Sequence, residues 1–227
     1  MQAKETTGAG EQLTLYSYWR SSAAYRVRIA LNLKGLTCQM RPVHLVRQGG
    51  EQHGEAFLAI NPQGLVPVLV HKGKVLTQSL AICEYLDECF EQYPLLPVRP
   101  LERARIRSMA LQIACDIHPL NNLRVMKYLQ DQCGDAVAPS AWMSHWMTVG
   151  FGAIEEQLNT RGDHGRTYLA GKPGLFECFL VPQVYNAERF GTDLSAFPEI
   201  QRVAAACRKL PAFIAAAPEN QTDTEGM

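Results

Sequence analysis

Tyr93-Pro94-Leu95-Leu96-Pro97-Val98-Arg99-Pro100 puts three prolines into eight residues, and no helix or strand can run through it. Proline offers no amide donor and forces the residue before it into extended backbone. The chain is therefore cut in two, and its patterning differs on the two sides. Before the cut, Leu13 to Tyr18 reads as a strand. Ser22 to Lys34 reads as a helix, with Val27, Ala30 and Leu31 on one face and Gly35 just past its end. Thr37 to Leu45 reads as a second strand, Val46 to Glu55 as a loop, and Ala56 to Ile60 as a short helix stopped by Asn61-Pro62. Gly64 to Val70 and Val75 to Thr77 pair about His71-Lys72-Gly73-Lys74, and Gln78 to Gln92 follows as a helix. That order, β-α-β-α-β-β-α, predicts a small mixed α/β domain. Beyond the cut only helical periods occur, with apolar faces over Ile106 to Ile117, Trp142 to Ala153, Leu175 to Phe190 and Ile200 to Lys209. The sequence thus predicts an α/β domain over 12–93 and an all-helical domain over 100–218. Residues 1–11 and 219–227 are expected to be disordered tails.

Composition excludes several classes. With 22 basic and 22 acidic residues the formal net charge is +0, which gives no electrostatic case for nucleic acid or an anionic membrane. No apolar run approaches the ~20 residues that span a bilayer. Met1 to Gln12 lacks the apolar core of a signal peptide. The seven cysteines, Cys38, Cys83, Cys89, Cys115, Cys133, Cys178 and Cys207, are scattered and never spaced C-x-x-C. Such a set fits a reducing compartment, with no disulfide framework and no zinc site, so a cytoplasmic location is expected.

The chemistry concentrates where the first strand meets the first helix. Ser21 and Ser22 precede the helical period directly, which places two hydroxyls and unsatisfied amides at the positive end of the helix dipole. That geometry suits an anion, and Arg20, Arg26 and Arg28 add positive charge on both flanks. The stretch Ser21-Ser22-Ala23-Ala24-Tyr25-Arg26-Val27-Arg28-Ile29-Ala30-Leu31 resembles the Ser-Ser-Cys-x-Trp-Arg-Val-Arg-Ile-Ala-Leu signature of zeta-class glutathione transferases, the maleylacetoacetate and maleylpyruvate isomerases. Ala23 stands at the family's cysteine and Tyr25 at its tryptophan. The resemblance runs from Leu13 to about Pro218 and implies a thioredoxin-like N-terminal domain followed by an all-helical one.

The same resemblance implies a site that uses glutathione as cofactor. Ser21 would be the main hydroxyl donor to the glutathione sulfur and Ser22 its helper, with Arg20 beside them. Val66-Pro67 matches a family Val-Pro whose cis bond turns the Val66 backbone toward the cysteinyl part of the tripeptide. Gln78-Ser79 matches the pair that holds the γ-glutamyl end, and Gln52 aligns near the glycine end. Cys115-Asp116-Ile117-His118-Pro119-Leu120-Asn121-Asn122-Leu123-Arg124 is close to a segment of bacterial glutathione-dependent maleylpyruvate isomerases. It implies glutathione or cross-dimer contacts for His118 and Asn122. From the residues themselves, Pro119 frees the Cys115 carbonyl, so the helix should kink there. Arg189, in Val181 to Phe190, joins Arg20 and Arg124 as a candidate for the substrate's carboxylates, which the planar guanidinium pairs bidentately. Where a glutaredoxin carries its cysteine pair this chain has Ser21 to Ala24, so the sulfur must be glutathione's. One departure concerns the fold: Gly174-Leu175-Phe176-Glu177 replaces the usual Ser/Thr-x-x-Asp capping box, predicting a helix weaker by about 1 kcal/mol or less.

The activity so implied is cis–trans isomerisation of a maleyl-keto acid to its fumaryl isomer in aromatic compound or tyrosine degradation. The expected partners are a small dicarboxylate substrate, glutathione and a second copy of the chain in a homodimer, with no metal. Two alternatives stand beside it. One is a conjugating transferase acting on electrophiles such as α-halo acids, and the other is a non-catalytic dimerisation or interaction module.

Overall fold

The computed structural model describes residues 12–134, 138–160 and 167–224. They divide into two compact units: residues up to Tyr93 together with those from Ala212 onward, and Pro94–Pro211. Among the described residues no helix is long and apolar enough to cross a membrane.

The first unit is built on a four-stranded sheet in the order β2-β1-β3-β4. β1 (Leu13–Ser17) runs parallel to β2 (Cys38–Pro42) and antiparallel to β3 (Val68–His71), which pairs antiparallel with β4 (Lys74–Thr77). Three helices accompany it: α1 (Ser22–Leu33), α2 (Glu55–Leu58) and α3 (Ser79–Cys89). The register fixes which loops share an end. Ser17 lies opposite Pro42, Tyr16 opposite Val68, and Val68 opposite Thr77. The segments after β1, after β2, before β3 and after β4 therefore all leave the sheet at one end. These are the segments that carry Ser21, Gln52, Val66-Pro67 and Gln78-Ser79.

Local details depart from the sequence reading. The loop expected at 46–55 contains two 3-10 turns, Arg47–Gly49 and Glu51–His53. The strand expected from Gly64 begins only at Val68, because the cis Val66-Pro67 bond precedes it. The larger correction is the C-terminal tail. Residues 219–224, expected to be disordered, are tied to the first unit by side-chain bonds that no local pattern announces. Trp19 N donates to Asp223 Oδ2 at 3.0 Å, and the helix just ahead of the segment is held by Asn32 Nδ2 donating to Ala212 O and Arg28 Nε to Ala216 O, both at 3.0 Å. Gln221 and Thr224 close back onto the carbonyls of Ala215, Ala217 and Pro218. Residues 1–11 and 225–227 lie outside the described residues.

The second unit is helical: α4 (Pro100–Leu111), α5 (Leu123–Cys133), α6 (Pro139–Thr160), α7 (Leu175–Arg189) and α8 (Pro198–Cys207), with α9 (Pro211–Ala216) at its boundary. α7 is its hub, with twelve of its fifteen residues buried. Glu155 on α6 is buried and accepts from the amides of Glu199 and Ile200, which caps α8 with a carboxylate 44 positions away.

The start of α7 explains the missing capping serine. The Leu175 amide donates to Leu95 O at 2.9 Å, so a carbonyl does the work of the absent hydroxyl. Glu177 keeps the other half of the box, its Oε2 accepting from Gly174 N and its Oε1 from Leu169 N, both at 2.8 Å. Burial pushes the Glu177 carboxyl above the usual carboxylate range while those amides pull it back. Its contribution to stability is thus greatest below the ordinary carboxylate range and falls as pH rises toward the raised value. A Cβ at Gly174 would lie 2.6 Å from Leu95 O, which real contacts do not allow. Gly174→Ser, which restores the usual capping residue, is therefore expected to destabilise the protein by about 1–3 kcal/mol. Urea midpoints measure this, and a more stable variant would contradict it.

Candidate active site

Ser21 is the N-cap of α1, in extended backbone, and its Oγ accepts from Ala24 N at 3.2 Å. The turn before it is closed by Ser21 N donating to Tyr18 O at 2.9 Å. With Oγ accepting from the helix, the hydroxyl proton is left to donate outward at the positive end of the dipole. Ser22 opens the helix, half-buried, and Arg20 is exposed with its guanidinium 4.0 Å from the Trp19 ring centroid.

The other two arginines of the stretch turn inward, which corrects the reading of a two-sided basic flank. Arg28 is 3 % exposed and donates to Ala216 O, Ser17 Oγ, Tyr18 O and Trp19 O. Arg26 is buried and its Nη1 donates to Ser79 Oγ at 3.1 Å, which links α1 to the start of α3. Positive charge here braces the framework, and only Arg20 faces solvent.

The remaining candidates of this unit gather at the same end of the sheet. Val66 precedes the cis proline and is buried beside Trp19 and Phe57. Asn61 shapes that turn, donating to Leu65 O at 2.8 Å and accepting from Gln63 N at 3.1 Å. Gln78 holds φ +67 at the N-cap of α3, and its Nε2 donates to Gln63 Oε1 at 3.2 Å. Ser79, buried at the first helical position, accepts from Arg26 and keeps its proton for an acceptor. Gln52 is buried and donates to Leu45 O at 3.3 Å, while its Oε1 has no partner among the described residues. Gly50, at φ +104, makes room for it: a Cβ there would sit 2.5–2.8 Å from the Gln52 amide.

In the second unit the expected kink takes a different form. The chain widens into a π turn over Gln112–Ile117 and tightens into a 3-10 turn over His118–Asn121 before α5. Because Pro119 cannot donate, the strain is spread over the turn upstream as well. Ile117 packs where Gly150 leaves space, Trp142 Nε1 donates to Leu120 O at 2.7 Å, and Asn186 Nδ2 to Asn121 Oδ1 at 3.3 Å. His118 is half-buried in this turn. Asn122 caps α5 through Oδ1, accepting from Arg124 N at 3.1 Å, which leaves its Nδ2 as the group for any contact. Arg124 is exposed on the first turn of α5 and Arg189 on the last turn of α7, its guanidinium 4.8 Å from the Phe190 ring. A hollow of about 450 Å³ along α4 and the π turn, which the sequence did not announce, is lined by Arg107, Ser108, Leu111, Gln112, Cys115 and others.

Comparison with known proteins decides the family. A family model described as glutathione S-transferase, N-terminal domain, matches residues 11–88. A protein of Vibrio cholerae named a probable maleylacetoacetate isomerase is 51% identical over 212 residues, 93% of this chain and 98% of its own. A maleylpyruvate isomerase of Ralstonia is 45% identical over 93% of this chain and 100% of its own. The holo structure of a maleylpyruvate isomerase, a bacterial zeta-class transferase, superposes with a TM-score of 0.89 at 45% identity, over 93% of this chain and 100% of its own. The chain belongs to the zeta-class glutathione transferases. Another neighbour, a maleylacetoacetate isomerase of Anaeromyxobacter dehalogenans at 40% identity and TM-score 0.82, covers 93% of this chain and 97% of its own and was solved with glutathione in its active site.

For a zeta-class enzyme the residues present fit that tripeptide. The unmatched Gln52 Oε1 is a buried acceptor awaiting an amide donor, and an unmatched buried acceptor costs roughly 1–3 kcal/mol until it finds one. The chain's own thiols stand apart from this chemistry. All seven are thiols, none of them in a disulfide; burial pushes Cys38 and Cys83 up to about 12 and raises Cys207 as well, and Cys178 is buried. These four are expected to stay unmodified by iodoacetamide at pH 8 in the folded zeta-class enzyme and to react on unfolding. Mass spectrometry of labelled peptides checks this, and labelling of the four in the folded state would contradict it.

Proposed function

We propose that this chain is a glutathione-dependent isomerase that converts a maleyl-keto acid, maleylacetoacetate or maleylpyruvate, to its fumaryl isomer, as a homodimer in the cytoplasm. The observation that carries the reading is Ser21: its hydroxyl oxygen is committed to the Ala24 amide, so its proton is directed to an anion at the helix N-terminus. Bound glutathione supplies a thiolate that adds to the cis double bond, makes it a single bond that can rotate, and is then expelled. Ser21 stabilises that thiolate, with Ser22 beside it. Gln52, Val66-Pro67, Gln78 and Ser79 hold the tripeptide at the end of the sheet, and His118 and Asn122 contribute a further glutathione or cross-dimer contact. Arg20, Arg124 and Arg189 receive the two carboxylates and stabilise the enolate charge that develops during addition. Ala23 leaves the site without a second thiol, and turnover does not require one, since the sulfur that reacts is the cofactor's.

The test follows cis-to-trans conversion of maleylpyruvate and, separately, maleylacetoacetate, with catalytic glutathione and a titration of free thiol. Turnover with thiol undiminished supports the isomerase, and the faster of the two substrates identifies the physiological class. Thiol lost in step with product would replace this reading by a conjugating transferase.

A further inference from the structure

The residue just ahead of Arg20-Ser21 is held from both sides. Trp19 O accepts from Arg28 Nη2 at 3.0 Å, and Trp19 N donates to Asp223 Oδ2 at 3.0 Å, across 204 positions of chain. The Trp19 side chain is 4 % exposed and packed among Tyr18, Val43, Phe57 and Val66, with Arg20 over its ring. Each charge meets the backbone group it suits, guanidinium on carbonyl and carboxylate on amide, and such charge-assisted bonds are about twice as strong as neutral ones. Both clamps also lead to the C-terminal segment. Arg28 donates to Ala216 O, and Asp223 lies beside Thr224, whose hydroxyl bonds back to Pro218 O and Gln221 O. The last described residues of the chain thus form one network with the loop that presents Ser21.

We propose that Asp223 is a positioning residue for the reaction. By accepting from Trp19 N its carboxylate fixes where the Tyr18–Ser21 turn points, and so where the Ser21 hydroxyl meets the sulfur. Asp223 acts only through Trp19, and the C-terminal segment belongs to the catalytic apparatus. The proposal rests on the reading of Ser21 as the sulfur's partner. Displacing a catalytic group by about 1 Å can cost a hundredfold in rate. A turn that is loosened rather than shifted spends part of its time in place, so the loss expected for Asp223→Ala is about tenfold.

Asp223→Ala, Asp223→Asn and a chain ending at Gln221 test it, beside the wild type. In the absence of glutathione, hydrogen exchange of the amides over residues 19–24 is expected to quicken about tenfold in Asp223→Ala and in the shortened chain. Asp223→Asn still offers an oxygen to Trp19 N and should stay within about threefold of wild type. With glutathione bound, the ultraviolet thiolate band should titrate about one pH unit higher in Asp223→Ala, with kcat/KM for isomerisation down about tenfold and the asparagine variant rescued. Unchanged exchange over 19–24 in Asp223→Ala overturns the proposal whatever the activity does. So does a lowered melting temperature with the thiolate titration and kcat/KM within about twofold of wild type, because that is a structural role alone. If wild-type protein fails to bind glutathione, the functional reading falls, while the exchange measurement still decides whether Asp223 holds the turn.

Discussion

Ser21→Ala is expected to lower kcat/KM at pH 7 by up to about thirtyfold, and the deficit should shrink as pH rises. A free thiol of pKa ~8.5 is only about 3 per cent thiolate at pH 7, so a site that ionises it fully gains at most about thirtyfold, or about 2 kcal/mol. A hydroxyl bond together with the α1 dipole is of the order needed. Once the pH passes the free thiol's own pKa, solvent ionises the sulfur without help, and variant and wild type should converge to within a few-fold. A deficit that stays constant with pH would mean that Ser21 orients the sulfur without shifting its ionisation. Stability should fall by about 1 kcal/mol as well, because Ser21 Oγ caps α1 by accepting from Ala24 N at 3.2 Å. Ser22→Ala should do less on both counts, since Ser22 is the first helical residue and not the cap.

What the sequence disclosed about this site was what local chemistry can encode. The strand-to-helix break at Arg20-Ser21-Ser22 and the glycine ending α1 both act within a few residues of themselves, and each sits where the pattern placed it. Gln78 and Ser79 likewise open α3 as read. What stayed hidden was every interaction whose partner is chosen by the fold. Arg26 and Arg28 carry the same charge as Arg20, and nothing in their spacing says that two of the three are core residues. Glu155 caps a helix 44 positions away, and Asp223 meets Trp19 across 204. A polar C-terminus reads as a tail because its asparagine, glutamine, threonine and aspartate are also what a solvated chain would use. Only the carbonyls and amides they reach in three dimensions make them structural. The π turn before His118 escaped for the same reason: Pro119 announces a disruption, but where the helix absorbs it depends on what packs upstream, here Ile117 against the space at Gly150.

Arg28→Ala should destabilise the first unit as much as truncating a buried core residue does, at about 3–5 kcal/mol. Its guanidinium donates to Ala216 O at 3.0 Å, Ser17 Oγ at 3.1 Å, Tyr18 O at 3.3 Å and Trp19 O at 3.0 Å. It also lies 5.2 Å from the Tyr25 ring centroid. Truncation takes the donor from Ala216 O, Ser17 Oγ and Trp19 O, while Tyr18 O keeps Ser21 N, and each buried acceptor left unmatched costs about 1–3 kcal/mol. The losses do not sum, because water enters and the C-terminal segment relaxes once its hold on the loop is gone. Arg28→Lys keeps the charge but only a single nitrogen, so it should recover less than half of the loss. Against a total stability of about 5–15 kcal/mol, the alanine variant should stand close to unfolding at working temperature. Arg20→Ala is the matched comparison. It removes the same residue type eight positions earlier, but from an exposed site, so stability should move by no more than about 0.5 kcal/mol while carboxylate binding weakens. Urea unfolding of the pair, with KM for the dicarboxylate, separates a structural arginine from a binding one. If Arg28→Ala unfolds within about 1 kcal/mol of wild type, the buried guanidinium is not what joins the C-terminal segment to the Ser21 loop.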